Sequence, residues 1–490
     1  MDFIGKIADL LWGNPLTYFI LIGSLLFTIM TRFVQVRHFK NMLRTMFRGK
    51  SSDAGISPFQ AFTLALSGRV GTGNIAGVAT AIALGGPGAV FWMWLMAFLG
   101  AATVFVESTL AQMYKVKKDG QFRGGPAFYI EKGTGLRWFG VLFAIATIVA
   151  VGVFDAGLQA NTIALGFENA FGTNRLVTGI FLVVVLGIII VGGTKRIANV
   201  AQVVVPFMAA GYIIVALIIM IMNIHVVPEV FALIFKSAFA LDSTFGGLIG
   251  AAIAWGVRRG IYSNEAGMGT GAHAAAAAEV DHPVEQGLVQ SFSVYIDTII
   301  VCSVTAFIIL ISGVYNVQDP SGEYVVNYAG EVEDSSFTQL SVDNVLPGFG
   351  APFLAIALFF FAFTTIMAFY YMAETNIAYL MKNKNSKWPI NFMKFVMLAA
   401  VFITCFRTSE AAWIMVDFSL GIMTWMNMIA LVLLFKPVMT ALKDYEQQLL
   451  TGSKLTFNPL KLGIKNADYW ENEIRKTDNR SEPLKKASSK

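Results

Sequence analysis

Charge is scarce in this sequence. Of its 490 residues 14% are charged, whereas 56% are hydrophobic, and the mean hydropathy is +0.63. A soluble protein carries about 25% charged residues. So little charge cannot cover a water-soluble chain of this length, and most of it must face lipid. Cysteine is nearly absent: Cys302 and Cys405 stand far apart without C-x-x-C spacing, which excludes a disulfide framework and a metal knuckle. The histidines, His38, His225, His273 and His282, form no H-E-x-x-H or related ligand spacing. No G-x-x-x-x-G-K-[ST] loop is present, so ATP is not the energy source and uphill work needs an ion gradient. No catalytic machinery is visible, no cofactor is expected, and the chain reads as a non-enzyme.

What is plentiful is the long apolar run. About 20 residues span a bilayer as a helix. Eleven runs of that order occur, at 16–34, 59–84, 88–114, 138–167, 176–192, 197–222, 244–278, 284–313, 349–381, 389–406 and 411–435. Barrel strands are about half as long and alternate in polarity, so these predict an all-α integral membrane protein of eleven spans. The first run is too long for a signal-peptide core and no small-residue cleavage site follows it, so it is expected to stay in the mature protein.

Lys and Arg collect on the cytoplasmic side of spans. They follow the first run (Arg37, Lys40, Arg44, Arg48, Lys50), the third (Lys115, Lys117, Lys118, Arg123, Lys132, Arg137), the fifth (Lys195, Arg196) and the ninth (Lys382, Lys384, Lys387). The loop 314–348 carries Asp319, Glu323, Glu331, Glu333, Asp334 and Asp343 with no Lys or Arg. The N-terminus is therefore expected outside and the C-terminus inside. The basic tail after Lys436 reads as a partly disordered cytoplasmic extension, touching anionic lipid rather than nucleic acid. No obligate protein partner is implied.

Beyond the first span, two of the remaining ten are rich in glycine. Residues 59–84 hold Gly68, Gly71, Gly73 and Gly77, and residues 244–278 hold Gly246, Gly247, Gly250, Gly256, Gly260, Gly267, Gly269 and Gly271. They stand five spans apart. Five is odd, so the second set of five must cross the membrane in the opposite sense, an inverted repeat. The expected organisation is an extra span and basic loop (1–58), a first repeat (59–222), an extracellular connection (223–243), a second repeat (244–436) and a tail (437–490). Glycine-interrupted helices at matching positions of two halves point to a transporter binding site.

Broken backbone in a membrane lines a cavity or lies buried in protein, because free amides and carbonyls go unpaired in hydrocarbon. The stretch Ser67-Gly-Arg-Val-Gly-Thr-Gly-Asn74 would free amides at the start of a half-helix, whose dipole favours an anion such as a carboxylate. Gly73 and Gly77 also suit close helix packing. The carbonyls before the break suit a hard cation. Thr364 and Thr365, adjacent hydroxyls in the span 349–381, would complete an oxygen shell for sodium with the carbonyls of Ser67, Val70 and Phe361, although a span Thr also commonly bonds back to its own helix.

Ionisable residues inside spans are candidates for function. They are Arg69, Glu107, Asp155, Arg258, Arg259, Glu265, Asp297, Glu374 and Asp417. Glu107 and Glu374, near span ends, read as structural ion pairs or gates, and Arg258 is spaced two turns from Glu265, suited to pairing with it. Gln159 and Asn161 would hydrogen-bond a small substrate or merely join helices.

At this point the motifs are recognisable. Gly71-Thr-Gly-Asn-Ile-Ala-Gly77, Gly85-Gly-Pro-Gly88 with Phe91-Trp-Met-Trp94, and Arg259-Gly-Ile-Tyr-Ser-Asn-Glu-Ala-Gly267 with Met268 and Gly269 resemble the alanine or glycine:cation symporter family, as does Gln159-Ala-Asn161. The resemblance runs from about residue 16 to 436. It implies a LeuT-type fold of eleven spans in the bacterial plasma membrane, coupling sodium influx to uptake of alanine or glycine. Carried over by motif, Thr72, Gly73 and Asn74 would hold the amino acid's carboxylate and amino groups, with Gln159 assisting. In the sixth core span the motif covers Trp255 to Gly269, including Asn264. The break falls either at Gly256 to Gly260, nearer the midpoint, or at Gly267 to Gly271. Trp255 and Met268 are expected in an apolar pocket wall. Arg69 stands where many LeuT-type proteins have a small residue, so one sodium is expected. An ion channel and a proton-coupled carrier remain the alternatives.

Overall fold

The computed structural model describes residues 2–474 except 242–243, 331–335, 383 and 408. Glu331, Glu333 and Asp334 of the acidic loop, and residues 475–490 of the tail, lie outside it. The described chain is almost wholly helical. Its strands form two short antiparallel hairpins, Val116–Lys118 with Gln121–Arg123 and Asn316–Gln318 with Tyr324–Asn327.

Among the described residues eight helices are long and apolar enough to cross a membrane: Ile4–Met30, Ala89–Met113, Arg137–Phe171, Gly193–Met222, Pro283–Ser312, Gly350–Leu380, Lys387–Thr404 and Ala412–Leu433. Arg175–Val191 is apolar and shorter. Burial sorts them. Gly350–Leu380 is 78% buried over its apolar window and Lys387–Thr404 only 17%, so the first runs through the middle of the bundle and the second along its rim. The outer side chains are themselves apolar, as Phe207 and Ile221 on Gly193–Met222 show. Apolar surface that extensive is stable against hydrocarbon and not against water.

The runs 59–84 and 244–278 are each split. The first begins on a capping box, in which Ser57 Oγ accepts from the Gln60 amide and Gln60 Oε1 from the Ser57 amide. It gives Pro58–Arg69, a single turn at Thr72–Asn74, and Ala76–Gly85. The second gives Ile249–Asn264 and Thr270–Ala277. Two other spans carry π-helical stretches, Ala150–Asp155 and Tyr295–Cys302. A wider turn re-aims side chains and is common at functional sites; here the re-aimed residues include Asp155 and Asp297.

The connection at 223–243 contains a helix of its own, Val227–Ala238. The described part of the tail, up to residue 474, is folded onto the bundle. Phe435–Thr451 is helical, and Phe457, Ile464, Ala467 and Trp470 are buried. Trp470 Nε1 donates to the Gln112 carbonyl at 2.9 Å, and Lys115 Nζ lies 4.1 Å from the Phe122 ring centre and 5.0 Å from that of Trp470. Composition averaged over a polar tail hides a few apolar anchors, and those anchors suffice to dock it.

Candidate functional site

The first break is built by glycines that let other groups come close. The helix Pro58–Arg69 ends as Val70 and Gly71 leave helical geometry. A Cβ on Gly71 would stand 2.7 Å from Thr365 Oγ1 and 3.0 Å from Gln159 Oε1, and one on Gly73 would stand 2.8 Å from the Tyr262 ring. No larger residue fits there without displacing a neighbour. The two leading amides are already engaged by side chains: Gly71 N–H donates to Asn74 Oδ1 at 3.0 Å and Thr72 N–H to Gln159 Oε1 at 3.1 Å. The Thr72 hydroxyl is buried against the Tyr262 side chain.

The second break lies at 265–269. Glu265, Gly267 and Gly269 all have positive φ (57°, 84° and 82°), and three left-handed residues in five cannot continue a helix. The helix instead runs unbroken through Gly256 and Gly260, which corrects the expectation of a break or ligand contact there. A Cβ on Gly256 would meet the Ala89 carbonyl at 2.5 Å, and one on Gly260 Met96 Cβ at 3.3 Å. These glycines serve close packing on the helix Ala89–Met113. The two breaks are tied together, since Arg69 Nε donates to the Asn264 carbonyl at 2.8 Å. Asn264 Oδ1 accepts from the Ala266 amide, so Asn264 shapes the break.

The hydroxyls expected in a cation shell hydrogen-bond to carbonyls of the same set, those to Phe361 being back-bonds within Gly350–Leu380. Thr365 Oγ1 lies 2.9 Å from the Ser67 carbonyl, 3.4 Å from that of Val70 and 2.9 Å from that of Phe361, and Thr364 Oγ1 lies 3.1 Å from the Phe361 carbonyl. An oxygen-only set without a titrating group suits a hard cation.

Beside the breaks is a cavity of about 10 Å³ lined by Gly71, Gly73, Asp155, Gln159, Tyr262 and Met268, with Phe369 and Leu420 on its apolar side. That is about the space one water needs, so a larger ligand enters only as the lining moves. Tyr262 was not singled out by the sequence, although it lies inside the quoted motif. Its hydroxyl donates to Asp155 Oδ1 at 3.1 Å. Asp155, one of the ionisable span residues the sequence singles out, accepts from Gln159 Nε2, four residues on, at 3.0 Å.

Other candidates lie elsewhere. Asn161 Nδ2 donates to the Thr404 and Arg407 carbonyls, joining two spans. Trp255 packs between guanidinium groups, 5.1 Å from Arg258 and 5.4 Å from Arg259, and does not line the cavity. Gly269 packs on Pro126 and Asn427. Arg258 pairs with Asp417 at 2.6 Å rather than with Glu265, which faces Arg69. Glu374 pairs with Arg123 at 2.6 Å, and Glu107 accepts from Asn427. Asp297 accepts from Asn74, Ser263 and Thr298.

Residues 1–459 match the profile of the sodium:alanine symporter family. YrbD of Bacillus subtilis (strain 168) is 62% identical over 473 residues, covering 96% of this chain and 98% of that protein. The sodium/proton-dependent alanine carrier protein of Bacillus sp. (strain PS3) is 53% identical over 440 residues, 89% of this chain and 98% of the carrier. A Bacillus subtilis (strain 168) protein named "Probable sodium/glutamine symporter GlnT" is 44% identical over 484 residues, 98% of each chain. Among solved structures, a manganese transporter of Eremococcus coleocola aligns at 13% identity over 79% of this chain and 95% of its own, with a TM-score of 0.41.

Proposed function

The chain belongs to the sodium:alanine symporter family, and from that premise we propose that it is a sodium-coupled importer of a small neutral amino acid such as alanine or glycine. It is a multi-pass membrane transporter and not an enzyme. The fold proposed is eleven spans, an extra helix followed by a LeuT-type repeat of five and five (59–222 and 244–436), in the plasma membrane with the basic loops and the C-terminus cytoplasmic. The two split helices and the alternation of basic loops support this arrangement.

One observation carries the coupling: Thr365 Oγ1 within 2.9 Å of both the Ser67 and Phe361 carbonyls. The ion's oxygens, Ser67 and Val70, and the amino acid's contacts, Thr72 to Asn74, are successive residues of one broken segment. Sodium drawn between Thr364, Thr365 and those carbonyls holds the segment in the shape that presents Gly71 to Asn74 to a carboxylate. Substrate without ion meets a segment not yet held. Inward movement of one positive charge supplies about 2.3 kcal/mol per 100 mV to the cycle. Met268, Tyr262 and Phe369 wall the cavity and limit the side chain.

The test is uptake of labelled alanine by proteoliposomes under an imposed sodium gradient. Uptake that needs the gradient and saturates with alanine is the expected result; no uptake of any small amino acid sinks the reading. Substrate-independent current would identify a channel. Uptake driven by a pH gradient alone would move the coupling to Asp155 or Glu265.

A further inference from the structure

Gln159 bridges two partners of opposite kind. Its Oε1 accepts from the Thr72 amide at 3.1 Å, and its Nε2 donates to Asp155 Oδ1 at 3.0 Å. The Thr72 amide forces this orientation, since a backbone N–H only donates. The side-chain amide thus offers one acceptor and one donor across the cavity. A zwitterionic amino acid offers the same two functions, an acceptor carboxylate and a donor ammonium.

We propose that Asp155 is the partner of the substrate's α-ammonium, and that the Gln159 amide occupies the substrate's place between Asp155 and Thr72 until substrate displaces it. The inference rests on the amino-acid transport reading and deepens it. Asp155 is buried, and among the described residues no Lys, Arg or His forms an ion pair with it. A carboxylate in such surroundings gains most from a ligand that brings a full positive charge with N–H donors. Gln159, Asp155 and Gly71, next to Thr72, all line the cavity of about 10 Å³.

Docking an ammonium on Asp155 also reaches the helix breaks. Asp155 holds the Tyr262 hydroxyl at 3.1 Å, and the Tyr262 ring lies against Gly73. The substrate's head would therefore join the span Arg137–Phe171 to both split helices. Each of the three elements contributes one group: Asp155, Tyr262 and the Thr72 amide.

The test compares alanine with lactate, which keeps the carboxylate and methyl but carries a hydroxyl for the ammonium, in binding to the full-length protein in lipid nanodiscs with sodium. Wild type is expected to prefer alanine by about 100-fold or more, since a site built for a charged donor rejects the analogue lacking it. Asp155→Asn should bring the two ligands within about 3-fold by losing alanine affinity, while Asp155→Glu, which keeps the charge, should retain at least about a tenfold preference. The glutamate variant decides the matter if the asparagine variant does not fold. A wild-type preference in folded Asp155→Asn, or none in folded Asp155→Glu, overturns this assignment alone. Wild-type protein that binds no small amino acid overturns the transport reading and this assignment with it.

Discussion

Arg69, the last residue of the helix before the first break, lies 4.0 Å from Glu265, the first residue of the second break. Both are buried, and Arg69 Nε also donates to the Asn264 carbonyl. The two breaks are therefore held by one guanidinium. Removing one partner of a buried pair typically costs about 3 to 5 kcal/mol, because the other charge is left uncompensated. Arg69→Met and Glu265→Gln should each lower the melting temperature of the purified protein, and the double variant should cost less than the two added together. Strict additivity would show that the charges do not interact.

The cation shell makes an asymmetric prediction. Thr365 Oγ1 approaches the Ser67, Val70 and Phe361 carbonyls, whereas Thr364 Oγ1 approaches only that of Phe361. Thr365→Ala should raise the sodium concentration for half-maximal uptake more than Thr364→Ala, and the double variant should lose sodium stimulation. Equal effects, or sodium dependence intact in the double variant, would put the ion elsewhere.

Selectivity should follow the cavity wall. Phe369 lines the cavity and Trp255 does not. An added methylene in a tight pocket costs about 1 to 3 kcal/mol. Phe369→Ala should therefore raise the competition of leucine against alanine by about tenfold or more, while Trp255→Ala leaves the ranking of amino acids unchanged. Relaxed selectivity in Trp255→Ala alone would return that residue to the pocket.

Gly256 offers a packing test. Its missing Cβ would fall 2.5 Å from the Ala89 carbonyl, and overpacking of this kind costs about 1 to 3 kcal/mol. Gly256→Ala should lower thermal stability with sodium affinity unchanged in the protein that folds. A large loss of sodium affinity at wild-type stability would argue that the residue takes part in binding.

The docked tail should respond to acid. Burial pushes the Glu446 carboxyl upward, but hydrogen bonds from His38 and Arg37 outweigh it and hold the group below its ordinary value of 4.5. A depressed carboxylate contributes stability above its unfolded value and loses it as pH falls through its folded one. Protection factors of the Phe435–Thr451 amides, taken against the intrinsic exchange rate at each pH, should fall below pH 4.5 relative to neutrality, and Glu446→Gln should remove that dependence. Exchange insensitive to both would detach the tail's stability from this carboxylate.

Membrane residence and the helical class were legible in the sequence, because scarce charge and run length each have one physical outcome in lipid, and the first break was legible from the glycines crowded around the polar Thr72 and Asn74. Tertiary structure decided the rest. Glycine is the same residue whether it admits a neighbouring helix, as at Gly256, or turns the chain left-handed, as at Gly267, and only the neighbour at Ala89 or the φ of 84° separates the two. Tyr262 and Trp255 are aromatic residues two helical turns apart on one helix; contact with Asp155 puts one at the cavity, and contact with two arginines puts the other outside it. Local pattern sets which backbone must break, whereas the side chains that meet the break come from distant spans, and their partners exist only once the spans have packed.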